Sequence, residues 1–239
     1  MQVMLDTANI KQIETAMQWG FLDGVTTNPT ILARELGGAD LASKPGAKAL
    51  FSHLDKLRDV LGDKRSLHVQ TTGTDCRTIV EEGKLISSRL GKNTYIKIPV
   101  TVEGLKAIRI LHEEGCGVTA TAIISIMQGL LASYAGADYA AVYYSRMYAS
   151  GIDAKNVIKT LCERFDGDLK HTRMLTASFK NPQDVADCYA LGAHCCTIPF
   201  AILEASLTNP LAENAVDKFS SDWKKVFGEP YTVLSGRGL

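Results

Sequence analysis

The sequence predicts an α/β protein that folds as a single (β/α)8 barrel, of the TIM barrel type, with an extra C-terminal helix. Short apolar segments typical of β-strands alternate with longer amphipathic segments along the 239-residue chain. The alternation gives eight strand–helix units, the number that closes such a barrel. No G-x-G-x-x-G motif follows the first strand. This disfavours a doubly wound open sheet, the other fold that the alternation allows.

The elements follow from local patterns. The predicted strands are 3–6, 22–27, 66–71, 94–100, 117–121, 138–144, 173–178 and 194–198. The predicted helices are 9–19, 44–61, 75–89, 102–114, 123–134, 152–166, 182–190 and 199–206. In the fourth helix Leu105, Ile108 and Leu111 recur at helical spacing, and Gly115 stands where a helix ends. No linker rich in Pro, Gly or Ser divides the chain, so residues 1–239 are predicted to form one domain.

Composition narrows the functional classes. The chain has 26 basic and 26 acidic residues and no long basic run, which argues against nucleic acid or an anionic membrane as a partner. It contains no segment like a signal peptide and no apolar run of the ~18 residues that span a membrane. Its six cysteines form no C-x-x-C pair, and no metal ligand set is spaced along the chain. We therefore expect a cytoplasmic protein with reduced thiols and with neither metal nor cofactor.

Polar side chains stand at the C-terminal ends of most predicted strands. The polar positions that share a parity are Asp6, Thr26, Asn28, His68, Gln70, Lys97, Thr121, Tyr143, Thr176 and Ser178. The opposite parity is mostly apolar, as in Leu67 and Val69 of the third strand and Leu175 and Ala177 of the seventh. The C-terminal ends of barrel strands meet at one mouth, where barrel enzymes have their active sites. The convergent polar ends therefore indicate an active site more than a set of capped turns.

The most informative strand is 94-TYIKIPV-100, which carries Lys97 among apolar residues. Ile96 and Ile98 belong to a uniformly apolar face, and in a barrel both faces of the strand are covered. A buried ammonium costs several kcal/mol unless it is paired or loses its proton. One interpretation is a structural lysine that pairs with a carboxylate or reaches water. The other is a neutral nucleophile that forms a Schiff base with a carbonyl substrate. Lys180 is a weaker candidate, since its turn suggests exposure.

The remaining polar residues suggest a water site and an anion site. Gln70 cannot ionise usefully, so it is predicted to position a water whose hydrogen bonds Thr121 and Tyr143 complete. Arg146 follows the sixth strand and Ser178 ends the seventh. Loops after the late strands of such barrels often bind phosphate, so Arg146 and Ser178 are predicted to hold one. The alternative for Arg146 is an exposed arginine in a loop.

Five segments together resemble the small transaldolase and fructose-6-phosphate aldolase family over nearly the whole chain. They are 5-LDTAN-9, 24-GVTTNPT-30, 96-IKIPVTVEGLKAI-108, 128-QGLLASYAGADYAAVY-143 and 176-TASFKNP-182. The resemblance implies that Lys97 forms the Schiff base and that Asp6 acts on substrate hydroxyls and in proton transfer. It also implies that Thr26 and Asn28 bind the dihydroxyacetone part of the substrate. The phosphate-binding Arg and Ser of the family match Arg146 and Ser178.

Two positions favour the aldolase branch of that family. Transaldolases carry Glu at the position of Gln70 and Phe at that of Tyr143, whereas the aldolases carry Gln and Tyr. The resemblance therefore implies an aldolase that cleaves the C3–C4 bond of a ketose phosphate such as fructose 6-phosphate. Two alternatives stay open: a transaldolase that passes dihydroxyacetone to an acceptor aldehyde, and a non-catalytic sugar-phosphate-binding protein. Tyr148 replaces the acid that usually follows the phosphate arginine, so a ketose with another anion, such as a sulfonate, is also considered.

A C-terminal helix is predicted over 213–228, beyond the eighth strand. Val216, Phe219, Trp223 and Val226 fall on one stripe of this helix, with polar residues opposite. A closed barrel does not need this helix, and an exposed apolar stripe usually meets another surface. We expect a homo-oligomer, and the resemblance implies pentamer rings paired into decamers. The alternative is that the stripe packs on its own barrel.

Overall fold

A computed structural model describes residues 1–37, 46–229 and 232–236 of the chain. The chain divides into two compact units, Met1–Ile202 and Leu203–Leu239, which are described separately below. The first unit holds the predicted barrel. The second holds the whole of the predicted C-terminal helix, 213–228. The expectation of a single domain stays a prediction.

The first unit is a closed barrel of parallel strands in sequential order, as predicted. The strands are β1 Gln2–Asp6, β2 Gly24–Thr26, β3 Ser66–Gln70, β4 Thr94–Pro99, β5 Gly117–Ile123, β6 Tyr139–Tyr143, β7 Arg173–Ala177 and β8 Cys195–Ile198. β1 pairs with β8, which closes the barrel, and the pairing includes Met4 opposite Thr197. All eight predicted strands are confirmed, although β2 is shorter and β5 longer than the sequence indicated.

The helices follow the strands in alternation. They are α1 Ile10–Gln18, α2 Pro29–Gly37, α3 Ala47–Leu61, α4 Cys76–Leu90, α5 Val102–Glu113, α6 Ile126–Tyr134, α7 Tyr144–Ala149, α8 Ala154–Asp166, α9 Pro182–Ala190, α10 Phe200–Leu207 and α11 Pro210–Phe227. The sequence did not predict α2 or α7. α2 buries only Leu32, so it shows no apolar stripe, and α7 has only six residues. Neither is long enough or apolar enough for its periodicity to be visible.

Helix ends explain why the chain folds this way locally. The N-cap side chains that accept a backbone N–H include Asn9, Asp75, Thr101, Ser125, Asp153, Asn181 and Asn209. Each satisfies one of the N–H groups that a first turn leaves without a partner. Gly115 follows the C-cap of α5 at φ 79°, as the sequence predicted. Glycine is the residue that adopts this conformation at no steric cost.

The register settles which side chains point into the barrel. Met4 of β1 and Tyr139 of β6 belong to one buried cluster, and strands this far apart can touch only across the interior. Tyr139 pairs with Thr119, which pairs with Lys97, which pairs with Gln70. Paired residues on neighbouring strands share a face. Lys97 therefore points into the barrel, as the parity predicted.

One predicted position is wrong. Leu175 lies in the interior cluster, so its neighbour Thr176 faces the helices and not the mouth. The hydroxyl of Thr176 donates to the carbonyl oxygen of Cys195 at 3.3 Å. The error arose because Ser178 was taken as part of the strand. It lies beyond the end of β7 at φ 67°, where the alternation of a strand no longer holds.

The second unit consists mainly of α11. This helix begins at Pro210 after the N-cap Asn209, three residues earlier than predicted, because proline suits the first turn of a helix. Val216, Phe219 and Val226 are 60%, 69% and 75% exposed, so the predicted stripe carries large apolar side chains on the surface of the unit. None of the described helices is long and apolar enough to cross a membrane.

Candidate active site

Lys97 lies in the middle of β4 and is only 3% exposed. The flanking Ile96 and Ile98 are fully buried. The Nζ atom of Lys97 donates to the backbone oxygen of Thr27 at 3.3 Å. In the part of the chain that the structure describes, no ion pair joins Lys97 to a carboxylate. A buried amine without a direct carboxylate partner is the setting in which lysines act as nucleophiles.

Asp6 ends β1 and interacts electrostatically with this lysine. Its Oδ1 accepts a hydrogen bond from the hydroxyl of Thr26 at 2.8 Å. Thr26 Oγ1 also lies 2.6 Å from the hydroxyl oxygen of Thr197. Burial raises the pKa of Asp6, and the positive charge of Lys97 and the Thr26 hydrogen bond oppose this rise without cancelling it. A carboxyl group with a raised pKa beside an amine can both accept and release a proton.

Of the three residues of the predicted water site, Thr121 and Tyr143 contact each other and Gln70 contacts neither of them. The Oγ1 atom of Thr121 and the Oη atom of Tyr143 are 3.2 Å apart. Gln70 is half-buried at the end of β3, directly beside Lys97 in the register. Among the described residues the Gln70 side chain has no hydrogen-bond partner, so its amide does not contact Thr121 or Tyr143 directly. The three side chains therefore lie on neighbouring strands β3, β5 and β6 around β4, without forming one closed network.

The predicted anion site lies after β6 and β7. Arg146 is exposed on α7, and its Cζ atom lies 4.7 Å from the centre of the Tyr143 ring. The backbone oxygen of Ser178 accepts a hydrogen bond from the N–H of Ser145 at 3.3 Å, which ties α7 to the loop after β7. Arg146 and Ser178 are thus on adjoining segments but do not bond to each other. Lys180, the rival nucleophile, is exposed, as expected from its turn.

Asp184 links the two segments of the anion site, and sequence reasoning missed it. Its Oδ2 accepts hydrogen bonds from the hydroxyl of Ser145 at 2.7 Å and from the backbone N–H of Lys180 at 3.1 Å. Its own N–H donates to the N-cap Asn181 at 2.9 Å. The one available sequence indication was the spacing of Asn181 and Asp184, which matches a reciprocal helix cap. Its contact with Ser145 depends on the tertiary structure.

Asn28 and Thr26, the predicted ligands of the dihydroxyacetone part, follow one another closely at the end of β2. Thr26 is fully buried and is engaged with Asp6 as described above. Asn28 is half-buried and its Oδ1 accepts the N–H of Ile31 at 3.0 Å, so it caps α2. This bond occupies the amide oxygen of Asn28 and leaves its amide nitrogen as the group to face a ligand.

His68 lies on the same inward face as Gln70, below the mouth, and is fully buried. Its ring stacks on Tyr95 and meets Tyr139 edge-on, with centroids 4.8 and 5.0 Å away. Its two nitrogens lie 2.7 Å from Thr119 Oγ1 and 3.0 Å from Ser66 Oγ. Burial, with the charges of Lys97 and Arg58, lowers the pKa of His68 to about 3. The floor of the barrel beneath Lys97 is therefore neutral.

Two non-glycine residues beside the site have left-handed backbone conformations. Ala122, which follows Thr121, has φ 61°, and Ser178 has φ 67°. The pairing of β5 with β6 shifts between Ala120 and Ile123 at the first of these positions. Such conformations cost of the order of 1–3 kcal/mol and occur preferentially at functional sites. Ala122 directly follows the predicted site residue Thr121, and Ser178 is itself a predicted site residue, which agrees with a mouth shaped for binding.

The cysteines show no sign of a reactive or metal-binding centre. Burial raises the pKa of Cys162 and Cys195 to about 12 and that of Cys196 to about 11, which keeps these thiols protonated. All six cysteines are free. Among the described residues, no three His, Cys, Asp or Glu side chains are grouped closely enough to hold a metal ion.

A cavity of about 420 Å³ lies beside the barrel, between α2, α3 and α4. Its wall is mostly apolar and includes Leu32, Leu54 and Ile86. Gln70 is the one predicted site residue that reaches this wall. The cavity is therefore distinct from the interior of the mouth into which Lys97 points, and the chemistry described above does not depend on it.

Comparison with known proteins gives a consistent family. Residues 3–230 match the family model described as Transaldolase/Fructose-6-phosphate aldolase. A probable fructose-6-phosphate aldolase of Streptococcus pneumoniae is 40% identical over 223 residues, which cover 93% of this chain and 96% of that protein. A probable transaldolase of a Hydrogenobaculum species is 38% identical over 232 residues, which cover 97% of this chain and 100% of that protein.

Solved structures of low sequence identity share the fold. The thiamine phosphate pyrophosphorylase of Pyrococcus furiosus superposes with a TM-score of 0.59 at 10% identity, covering 83% of this chain and 85% of that one. A 2,3-dimethylmalate lyase superposes with a TM-score of 0.60 at 14% identity, covering 97% and 85%. At such identities the likeness concerns the barrel alone. The family match over nearly the full length is of another kind, and by it the chain is an enzyme of the transaldolase and fructose-6-phosphate aldolase family.

Proposed function

We propose that this enzyme is a Schiff-base aldolase that cleaves and forms the C3–C4 bond of a ketose phosphate such as fructose 6-phosphate. The products of cleavage are dihydroxyacetone and an aldose phosphate, here glyceraldehyde 3-phosphate. The observation that carries the proposal is the buried Lys97, which pairs with no carboxylate among the described residues and whose charge acts on Asp6, a carboxyl group with a raised pKa. The relative named as a probable fructose-6-phosphate aldolase supports it.

The first step joins the substrate to Lys97. The amine lone pair attacks the C2 carbonyl carbon, and the resulting carbinolamine loses its hydroxyl group as water to give an iminium ion. Formation of the iminium consumes one proton, which Asp6 supplies.

The second step breaks the C3–C4 bond. Asp6, now a carboxylate, takes the proton of the C4 hydroxyl group while the C3–C4 electron pair moves into the iminium and gives an enamine. The aldehyde formed at C4 leaves as the aldose phosphate. No metal is needed, because the iminium accepts the electron pair.

The third step releases dihydroxyacetone. A water held by Gln70, Thr121 and Tyr143 protonates the enamine at C3, and the hydroxide left behind takes the proton that Asp6 holds. A second water hydrolyses the iminium to free the ketone and the amine of Lys97, and the proton released returns to Asp6. The 3.2 Å contact of Thr121 with Tyr143 supports this assignment, as does the Gln70 amide, which pairs with Lys97 in the register and has no hydrogen-bond partner among the described residues. General acid–base assistance of this kind contributes about 10²–10⁴ in rate.

The site residues away from the bond cleavage bind the two ends of the ketose. Thr26 and Asn28 act on the dihydroxyacetone part, and Arg146 and Ser178 on the anion. The exposed guanidinium of Arg146 and its link through Ser145 to Ser178 support the second role. The same donors suit a sulfonate, so a sulfonated ketose is the alternative substrate, favoured by an observation at Tyr148. This residue is 73% exposed on α7, two positions after Arg146.

The alternative function is a transaldolase, in which the enamine waits for an acceptor aldehyde. The relative named as a probable transaldolase favours it. Gln70 and Tyr143 in place of Glu and Phe favour the aldolase. Release of glyceraldehyde 3-phosphate from fructose 6-phosphate, measured with and without erythrose 4-phosphate, distinguishes the two. Turnover that requires the acceptor would show a transaldolase.

The Schiff base itself has a direct test. Borohydride reduction with dihydroxyacetone, followed by mass spectrometry, should give one adduct per chain, on Lys97. Lys97→Arg should abolish the adduct, because guanidinium stays protonated. Lys180→Arg is the matched control and should keep it. An adduct on Lys180, or none in the wild type, would refute the proposal and leave the non-catalytic sugar-phosphate-binding protein.

We further propose that the enzyme is a cytoplasmic homo-oligomer whose subunits meet through α11. The exposed Val216, Phe219 and Val226 support the contact, and six free thiols support the location. Phe219→Ser should reduce the mass measured by sedimentation equilibrium. Lys218→Ser, an exposed neighbour, is the control and should leave the mass unchanged.

A further inference from the structure

We propose that the aromatic ring of Tyr143 is a positioning platform for the guanidinium of Arg146, so that Tyr143 serves the anion site as well as the catalytic water. This inference rests on the proposed function, since it takes Arg146 as the residue that binds the substrate anion. It adds a role for the ring that is separate from the role of the hydroxyl group.

The position of the two residues on α7 creates the contact. Tyr143 is the N-cap residue of this helix, and its side chain makes no capping hydrogen bond. Arg146 follows three residues later, the spacing at which the two side chains of a capping box meet. Here the arginine folds back over the ring, with Cζ 4.7 Å from the ring centre. This distance lies within the ~6 Å range of cation–π attraction.

The Cζ atom of the Arg146 guanidinium lies over the Tyr143 ring, a contact that engages none of its N–H groups in a hydrogen bond. In the described part of the chain, the Arg146 side chain makes no hydrogen bond or ion pair with the protein. The N–H groups of a guanidinium lie in its plane, so a stacked arginine can still bind an oxyanion in bidentate fashion. The ring and the anion therefore do not compete for the same part of Arg146.

The Tyr143 ring and helix α7, which carries Arg146, are both held in place by the rest of the fold. The ring is carried by the last residue of β6, whose position is fixed by its pairing with Ala177 of β7. α7 is anchored by the buried Met147 and by the hydrogen bond of Ser145 to Asp184 at 2.7 Å. An exposed arginine otherwise samples many rotamers and must lose that freedom when an anion binds. The Tyr143 ring removes part of this loss before the anion arrives.

This model separates the two parts of the tyrosine. Tyr143→Phe keeps the platform and removes the hydroxyl group, so anion affinity should stay at the wild-type value while aldol turnover falls. Tyr143→Leu removes both, so anion affinity should fall as well. The cation–π contribution corresponds to a loss of about 2- to 30-fold in affinity.

The experiment is calorimetric titration of inorganic phosphate into the wild type, Tyr143→Phe and Tyr143→Leu, and into the same three proteins carrying Arg146→Ala. Tyr143→Met serves as a second ringless variant if the leucine protein does not fold, as judged by circular dichroism. We expect the Phe variant to bind as the wild type does and the ringless variants to bind at least twofold more weakly. In the Arg146→Ala background the difference between Phe and Leu should vanish.

Equal affinity of the Phe and Leu variants would overturn the inference, and so would a difference between them that persists without Arg146. Failure of the proposed function looks different. It would appear as the absence of a borohydride adduct on Lys97 in the wild type, a measurement that does not depend on phosphate affinity.

Discussion

Thr26→Val removes the hydroxyl group that binds the carboxylate of Asp6 and keeps the size and branching of the side chain. Thr26 Oγ1 donates to Asp6 Oδ1 at 2.8 Å. This bond opposes the rise in the pKa of Asp6 that burial causes. A hydrogen bond to a carboxylate favours the charged form, so its loss should raise the pKa of Asp6 further.

The size of the effect follows from the bond that is lost. A hydrogen bond to a charged group contributes about 1.5–3 kcal/mol, and 1.36 kcal/mol corresponds to one pKa unit, so a rise of about one to two units is expected. In the proposed mechanism Asp6 must give up its proton before it can take the proton of the C4 hydroxyl group, and a higher pKa of Asp6 makes this loss less favourable. The acid limb of kcat/KM against pH should therefore move upward by about one to two units.

The free energy of unfolding gives a second readout of the raised pKa of Asp6, and it changes with pH in the opposite direction to activity at acid pH. The folded-state pKa of Asp6 is above its ordinary value of 3.8, so the folded protein disfavours the charged carboxylate. The free energy of unfolding should therefore fall as the pH rises from about 3.8 through the folded-state pKa. Thr26→Val should make this fall larger and extend it to higher pH.

The assay is release of glyceraldehyde 3-phosphate from fructose 6-phosphate across the acid range. Thr27→Val is the matched control, because its buried hydroxyl donates to the backbone oxygen of His68 at 3.1 Å and does not contact Asp6. An unchanged acid limb in Thr26→Val, or an equal shift in Thr27→Val, would refute the reasoning.

Three further predictions concern other parts of the structure. Tyr143→Phe should lower cleavage without an acceptor by about 10²–10⁴ while transfer to erythrose 4-phosphate is kept; equal losses in both assays would contradict this. Asp184→Asn weakens its bond to Ser145, so KM for phosphorylated substrates should rise about 3- to 10-fold, as expected for a loss of ~1 kcal/mol, with little change for unphosphorylated aldehydes. Gly24→Ala would place a Cβ 2.0 Å from Ser66 Oγ; thermal unfolding should show a loss of about 1–3 kcal/mol, and an unchanged melting temperature would exclude the clash.

The barrel was predictable because its evidence repeats along the chain. Eight alternations of strand and helix fix the number of strands, and the parity within β1, β3 and β4 alone predicts Asp6, Gln70 and Lys97 on the inner face, where the register has them. In β7 the alternation predicted the wrong face, since Thr176 was expected to point inward and faces outward. A five-residue strand offers too few alternations to identify its last residue, and the sequence does not reveal that the chain turns at Ser178.

What the sequence did not predict depends on contacts between distant segments. The bond of Asp184 to Ser145 joins residues 39 positions apart, and the bond of His68 to Thr119 joins residues 51 apart. Arg146 over Tyr143 is local, yet it depends on α7, a helix too short to be recognised from periodicity. Val102 follows the apolar spacing of α5 and is nonetheless 72% exposed, because it stands at the first turn, beyond the part that packs on the barrel.

The pairing of β1 with β8 has a consequence for how the protein matures. The second residue of the chain lies opposite residue 195, and the hydroxyl group that supports Asp6 through Thr26 comes from Thr197. While the chain is being synthesised, the surroundings of Asp6 therefore cannot form until almost the whole barrel has left the ribosome. A nascent chain that still lacks its last strand would hold Lys97 without the finished surroundings of Asp6. In the proposed mechanism the chain therefore becomes active only when β8 closes the barrel. A pause late in translation would delay both closure and activity.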